Sequence, residues 1–356
     1  MKVPTRYSTP VFLTLAVMLV VAGFWLVSRP REPVYQGKTL TEWLYNNDPD
    51  FIWMSNDCYG HIHNDLWDEL GRGGYVARGT ATNQPAPTNI NQQLDPAVVA
   101  TRQMGTNAIP RLLELMASRP TAVERIRESL ASKLQLKVSR FICPYHTLSP
   151  AERRRIAAFH GFAALGTNAL PALPALSNLL QRPGPDFALG YAISAIGTDG
   201  ISVLVNALTN SNKDAITVAA FSLGMEYPPV TSAAPALLSV LERGQASYQV
   251  FGALGRIGGD STIVVPALTK YLGNTNAHSG SWGEPDMAIL ILGLHGEKAR
   301  SAVPAIVKLY QDAEPTTRQV IRVVVKKLDP ENVERLLGRP PSDKDDEDPY
   351  WNGARP

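Results

Sequence analysis

The residues of this chain best suited to chemistry are its two cysteines, because each is followed three residues later by a histidine. They form the segments Cys58-Tyr-Gly-His61 and Cys143-Pro-Tyr-His146. Two thiolates and two imidazoles can bind Zn²⁺ with tetrahedral geometry, provided that the fold brings the two distant segments together. A Cys58–Cys143 disulfide is an alternative, since an even number of cysteines suits an exported protein. Unpaired structural cysteines are the third interpretation, and the sequence leaves all three open.

No other pattern indicates catalysis. The chain has no phosphate-binding loop, no His-Glu-x-x-His segment and no Gly-x-Ser-x-Gly elbow. His160 falls in an apolar segment that predicts a core helix, so we interpret it as a packed histidine. A net charge of +2 without a block of basic residues gives no reason to expect nucleic acid. We therefore predict a non-catalytic protein that needs no cofactor.

The elements that position these residues are indicated by a recurring phrase: a helix ending in an apolar residue and glycine, a short polar turn, then Pro-Ala-Leu or a close variant. Self-similarity at this period indicates a helical repeat array. The phrase runs from Gly105 to Pro110, Gly166 to Pro171, Gly224 to Pro235, Gly255 to Pro266 and Gly293 to Pro304, with a proline-free variant from Gly197 to Ile201.

Each phrase predicts a helix–turn–helix. We expect the glycine to close the first helix in a left-handed conformation, and the proline to stand early in the second helix, where its missing N–H costs little. Positions one, two, five and six after the proline are apolar, as in Ala236, Leu237, Val240 and Leu241. This spacing predicts one apolar face on each second helix.

The segment from Leu292 to Ile306, which reads LGLHGEKARSAVPAI, resembles the HEAT repeat in the short form also found in phycobilisome lyases. The resemblance covers roughly residues 96–330 and predicts a repeat domain over 96–337. It implies an all-α fold, a right-handed α-solenoid of the HEAT and armadillo type. Proteins with such repeats are mostly scaffolds and adaptors, with a few lyases among them, so the resemblance favours protein binding and leaves a lyase-type enzyme as an alternative.

The amino-terminal part predicts a membrane tether. Residues 1–9 form a short basic tail, and residues 10–27 are uncharged and apolar, which is long enough to span a bilayer. No small residues stand at cleavage-site spacing after this run, so we predict an uncleaved anchor. A basic tail that stays in the cytoplasm would place the repeats in the periplasm, on the outer side of the inner membrane.

Residues 28–95 join the anchor to the repeats. Within them the segment 32–44 carries the phrase Tyr-x-Gly-x-x-Leu-x-x-Trp-Leu, from Tyr35 to Leu44, and resembles the entry segment of bacterial membrane-anchored HEAT-repeat proteins. We expect Thr39 or Thr41 to cap a short helix that buries Leu40, Trp43 and Leu44 as a lid on the first repeat. The aromatic-rich insertion at 48–95 either packs over that repeat or carries the binding function. At the other end we expect a closing helix over 316–328, followed by an acidic disordered tail over 338–356. In that helix Val320, Ile321, Val324 and Leu328 are predicted inward, and Arg318, Arg322, Lys326 and Lys327 outward.

The partner surface follows from the helix register. The position four residues after each proline turns away from the core, and reading along the chain it becomes more basic. We predict that this column binds a protein partner: Glu114, Asn178, Ser239, Lys270 and Lys308. The function expected is a membrane-tethered, non-catalytic HEAT-repeat scaffold. A lyase-type enzyme and a metal-binding periplasmic protein using the Cys/His pairs are the alternatives.

Overall fold

The protein is predominantly α-helical, as its sequence predicts. The computed structural model describes residues 32–45, 96–126, 149–226, 228–274 and 283–338. Within these ranges the only strands are β1 (Val34–Tyr35) and β2 (Lys38–Thr39), which pair antiparallel as a small hairpin. The short helix α1 (Leu40–Tyr45) follows directly, and the remaining helices succeed one another in pairs.

The helices of each pair are called the first and the second helix. The first helices are α2 (Pro96–Met104), α4 (Pro150–Leu165), α6 (Phe187–Ser194), α8 (Lys213–Gly224), α10 (Tyr248–Ile257), α12 (Glu284–Leu294) and α14 (Pro315–Leu328). The second helices are α3 (Ile109–Met116), α5 (Leu173–Leu180), α7 (Thr198–Ala207), α9 (Ala234–Glu242), α11 (Ser261–Asn274), α13 (Val303–Leu309) and α15 (Val333–Leu337).

The main helix contacts join neighbours in the sequence. First helices contact one another in series, α4 with α6, α6 with α8, α8 with α10, α10 with α12 and α12 with α14. Second helices do the same where α9 meets α11 and α11 meets α13. The first helices are the more completely buried layer, and α12 is covered along nearly its whole length from Pro285 to Gly293.

The second helices bury the face that the register predicts. The position two residues after the proline is fully buried in five pairs, at Leu112, Leu176, Leu237, Leu268 and Ile306. The alanines one position earlier, such as Ala236 and Ala267, are half-buried and pack against the same core. Alanine leaves little side chain there, so neighbouring helices can approach closely.

The early turns use glycine as expected. Gly105, Gly166 and Gly197 have φ of +57°, +55° and +94°, a region that L side chains rarely adopt. Gly197 also approaches the turn before it, since a β-carbon there would lie 3.4 Å from the Thr167 methyl group. Consecutive turns therefore stack along one edge of the array.

In the later repeats the left-handed conformation predicted for the glycine of the phrase is wrong. Gly255 and Gly293 lie inside α10 and α12, which continue past them, and Gly224 is the last residue of α8 but has no left-handed φ. The left-handed conformation falls instead on Gly258 and Gly296, both with φ near that of Gly166. Gly224 has a packing role, since a β-carbon on it would lie 2.9 Å from the Ala253 Cα of the next first helix.

The amino-terminal lid forms as predicted, and the structure decides which threonine caps it. The Thr39 hydroxyl accepts the Glu42 N–H at 3.3 Å, while the Glu42 carboxylate accepts the Thr39 N–H at 2.6 Å, a reciprocal capping box. Leu40 is fully buried, and Trp43 and Leu44 pack against the core. Thr41 has a different role, because its hydroxyl accepts a hydrogen bond from Arg111 in α3 at 3.1 Å.

The closing helix α14 differs from its prediction at one residue. Val320, Ile321, Val324 and Leu328 are buried, and Arg318, Lys326 and Lys327 are exposed, as expected. The outward prediction for Arg322 is wrong, because only 2% of this residue is exposed. Its guanidinium donates a hydrogen bond to the Gly338 carbonyl after α15, so it fastens the last helix to the array.

The predicted anchor at 10–27, the whole 48–95 insertion and the tail at 339–356 lie outside the described residues. Within the described ranges, one helical stretch is long and apolar enough to cross a membrane, Pro150–Leu180. This stretch is only moderately apolar, half of its most apolar part is buried in the protein, and Gly166 interrupts it with a left-handed turn. These properties are those of a core helix pair.

The close packing of first helices gives a test. Gly190 of α6 faces α8, and a β-carbon there would lie 2.1 Å from Ser222 Oγ and 2.7 Å from Val218 Cγ1. We expect Gly190→Ala to lower the free energy of unfolding by about 1–3 kcal/mol, because the helices must separate. Urea denaturation measures this.

Gly273 provides the matched control. It lies in the last turn of α11 with an ordinary φ, and a β-carbon added to it would meet no atom within 4 Å. Gly273→Ala should be neutral or stabilising by up to about 1 kcal/mol, because alanine favours the helix. Equal destabilisation by the two substitutions would contradict the close approach of α6 and α8.

Candidate interaction surface

The predicted column on the second helices forms a surface strip, which we call the second-helix strip: Glu114, Asn178, Ser239, Lys270 and Lys308. All of these except Ser239 are exposed, and Ser239 is half-buried. Their helices are consecutive members of the same layer, apart from α7, whose phrase lacks the proline. The structure therefore places the predicted residues on equivalent positions of successive pairs, available to a partner.

Arginine covers the middle of the strip. Arg243, one turn after Ser239 on α9, donates a hydrogen bond to the Ser239 hydroxyl at 2.7 Å. A second nitrogen of the same guanidinium donates to the Leu208 carbonyl at the end of α7, in the preceding pair. Arg243 is exposed, so the strip is cationic at a point where the column alone is neutral.

Towards its end the strip carries mixed charge. Lys270 Nζ lies 3.9 Å from the Glu242 carboxylate of α9, with the two side chains 71% and 61% exposed. Such an exposed pair contributes little to stability and leaves both groups free to bind elsewhere. At the beginning of the strip, Glu114 similarly accepts a hydrogen bond from Arg111 at 2.8 Å. A partner would therefore meet alternating charges rather than a uniformly basic strip.

Hydrogen bonds between pairs hold one edge of the array in register. At the junction of α7 and α8, the Asn212 side chain donates to the Gln181 carbonyl at 3.0 Å, and Asn210 donates to the Gln181 side chain at 2.7 Å. At the junction of α3 and α4, Arg155 donates to the Ser118 carbonyl at 3.2 Å. Each bond joins the end of one second helix to residues at or near the start of a later first helix, so side-chain hydrogen bonds connect successive pairs along this edge.

The opposite edge contains a histidine that the sequence places in a turn. His295, at the end of α12, is half-buried, and its Nδ1 lies 2.9 Å from the Ser261 hydroxyl of α11. Burial lowers the pKa of this imidazole below its usual value, and the nearby Lys298 adds to the shift. The neutral ring therefore fits between two pairs, and protonation disfavours that packing.

The predicted metal or disulfide residues Cys58, His61, Cys143 and His146 lie outside the described residues. Over the ranges that the structure describes, no three His, Cys, Asp or Glu side chains are grouped as they would be to hold a metal ion. His160 packs beside Phe159, with ring centroids 4.8 Å apart, in the helix where the sequence predicts it.

Sequence reasoning missed the residues beside the column. Arg243 lies one turn after Ser239, and Glu242 lies beside Lys270. The i, i+4 spacing of Ser239 and Arg243 could have indicated the hydrogen bond between them. The approach of Glu242 to Lys270 joins two helices, so local spacing carries no sign of it.

Comparisons of the chain with family models, with curated proteins and with solved structures found no match. The resemblance of its repeats to HEAT repeats therefore rests on the phrase itself.

The imidazole of His295 predicts a pH dependence. Because its pKa is lower in the folded protein than the ordinary 6.5, the unfolded chain binds the proton more readily. The contribution of the neutral ring to the free energy of unfolding should be fully present above about pH 6.5, and it should fall as the pH decreases below that value. We expect His295→Asn, which cannot be protonated, to lose less free energy of unfolding than the wild type between about pH 7 and pH 5. Urea titrations at the two pH values measure the difference, and equal losses in both proteins would contradict the assignment.

Proposed function

We propose that this protein is a membrane-tethered, non-catalytic scaffold whose helix pairs form a right-handed solenoid of the HEAT type and bind a protein partner. In this proposal residues 10–27 anchor the chain in the inner membrane, and the repeats lie in the periplasm. The second-helix strip is the binding surface. One observation carries the proposal: equivalent positions on successive second helices stay exposed while the first helices are buried by their neighbours.

The contact pattern supports a solenoid because each pair packs mainly on the pairs next to it. An array of this kind offers evenly spaced side chains over a long surface, which suits an extended partner segment. The glycine turns, the inter-pair hydrogen bonds and the capping helices at both ends all favour a surface with fixed spacing.

The charges on the strip indicate the kind of segment that would bind. Lys308 is exposed and belongs to no ion pair that the structure shows among the described residues, and Lys270 is held only by a long, exposed contact with Glu242. Arg243 adds a third cation on the preceding helix. A partner with spaced carboxylates would form charge-assisted hydrogen bonds with these three residues.

The test is the double substitution Lys270→Glu with Lys308→Glu in the full-length chain. We expect it to weaken the binding of captured partners at low salt by about tenfold or more, because two favourable charge contacts become repulsive. The measurement is quantitative affinity capture from membrane extract, followed by titration of the partner identified there.

A matched control uses Lys213→Glu with Lys298→Glu, two exposed lysines away from the strip. Both double variants should unfold at nearly the wild-type temperature, since exposed charges contribute little to stability. Equal binding by the strip variant and the control variant would show that the partner binds elsewhere.

A further inference from the structure

The amino-terminal end of the array exposes an unusual number of large apolar side chains. Over the described residues, six such side chains are exposed, and four of them lie at this end. They are Val34 of β1 (60% exposed), Tyr45 at the end of α1 (43%), and Val123 and Ile126 in the helical segment 122–126 (75% and 62%). A concentration of exposed apolar residues at one end marks a surface for binding.

A chain of contacts joins the elements that carry these residues. Arg154 of α4 forms two hydrogen bonds of 3.1 Å with the Glu124 carboxylate, which joins segment 122–126 to α4. Helix α1 contacts α4 directly, and Arg111 of α3 donates a hydrogen bond to the Thr41 hydroxyl of α1 at 3.1 Å. Arg111 reaches Glu32, just before β1, at 3.6 Å. The four apolar residues thus belong to one end surface.

The same end is strongly basic. The described residues 119–126 and 149–155 contain five arginines and two glutamates, a net charge of +3, whereas the whole chain carries +2. Arg154 and Arg155 are committed to Glu124 and Asp186. The remaining three, Arg119, Arg125 and Arg153, are exposed, and no ion pair holds them among the described residues.

We propose that this surface, which we call the end face, binds anionic lipid headgroups and orients the array on the membrane. The end face comprises Val34, Tyr45, Val123 and Ile126 with Arg119, Arg125 and Arg153. Exposed aliphatic and aromatic side chains beside cations suit the boundary between headgroups and acyl chains. Each arginine near an anionic surface adds a favourable electrostatic contribution.

The position of the end face favours lipid over an acidic protein segment. The inference rests on the proposed anchor at 10–27, which leaves only residues 28–31 before Glu32. Four residues span at most about 14 Å, so the lid would stand close to the bilayer surface. This reach is less than two Debye lengths of about 8 Å each at physiological salt, so the headgroup charge is only partly screened at the lid. An acidic protein would use the cations but has no need of Val123 and Ile126.

The experiment is hydrogen exchange of the full-length protein in two kinds of vesicle, phosphatidylcholine alone and an equal mixture of phosphatidylcholine and phosphatidylglycerol. We expect amides in segment 119–126 to exchange at least about fivefold more slowly in the anionic vesicles, and the difference to shrink at high salt. Peptides from the far end, such as 312–320, should exchange equally in both.

Two variants make the test specific, and a third serves as their control. Arg119→Glu with Arg125→Glu and Arg153→Glu should abolish the slowing, whereas the control Lys270→Glu with Lys298→Glu and Lys308→Glu should keep it. Val123→Ser with Ile126→Ser should reduce it while leaving the charges unchanged. The thermal midpoints of all three should stay near that of the wild type, because every altered side chain is exposed.

The possible results distinguish a failure of the end-face inference from a failure of the proposed membrane anchor. Resistance of the protein to alkaline carbonate extraction tests the anchor independently of the end face. An extraction-resistant protein whose segment 119–126 exchanges equally in both vesicles would overturn the inference and leave the tether standing. Slowing that appears only when a poly-glutamate peptide is added, and never with anionic lipid, would overturn it in favour of an acidic protein partner.

Discussion

The structure depends on the close approach of neighbouring helices. Where α4 meets α3, where α6 meets α8 and where α8 meets α10, a glycine faces the neighbour: Gly161, Gly190 and Gly224. A β-carbon at these positions would lie 2.3, 2.1 and 2.9 Å from the nearest atom of the facing helix. Within a pair, Gly200 of α7 comes still closer to the Ile193 carbonyl of α6. Since protein interiors are close-packed, these glycines set the distance between neighbouring helices in the array.

This constraint decides which surfaces remain for function. First helices that touch on both sides bury nearly all of their length, as α12 does, and offer a partner little. The second helices bury only one face, so their outer positions recur along the strip. The two ends of the array have no further pair to cover them among the described residues. One is closed by α1 and the Arg111 contacts, and the other by α15 and Arg322.

The sequence predicted much of this because its repeat is local. The apolar spacing after each proline depends only on helix geometry, and Leu237, Leu268 and Ile306 are buried accordingly. The lid could be predicted for the same reason, because a capping box is a contact between residues three apart. The outward positions of Glu114 and Lys308 followed from the same register.

The failures arose where contacts join distant residues. Gly255 and Gly293 look like helix ends in the phrase, but their helices continue past them, and Gly224 ends its helix without a left-handed φ while packing against Ala253 of the next first helix. The sequence alone places Arg322 in solvent because its partner, the Gly338 carbonyl, belongs to a later helix. The proposed end face escapes sequence reasoning because its four exposed apolar residues come from separate parts of the chain, and contacts between distant residues, such as Arg154 with Glu124, join these parts.

Each helix pair depends chiefly on its immediate neighbours for its stability. Deletion of one whole pair, residues 244–274, from the otherwise complete chain tests this most directly, with circular dichroism and urea denaturation as the measurements. We expect helicity per residue to be preserved and the shorter array still to unfold cooperatively, since the flanking pairs meet through equivalent faces. Loss of helical structure throughout the remaining chain would contradict it, because it would show a single indivisible core.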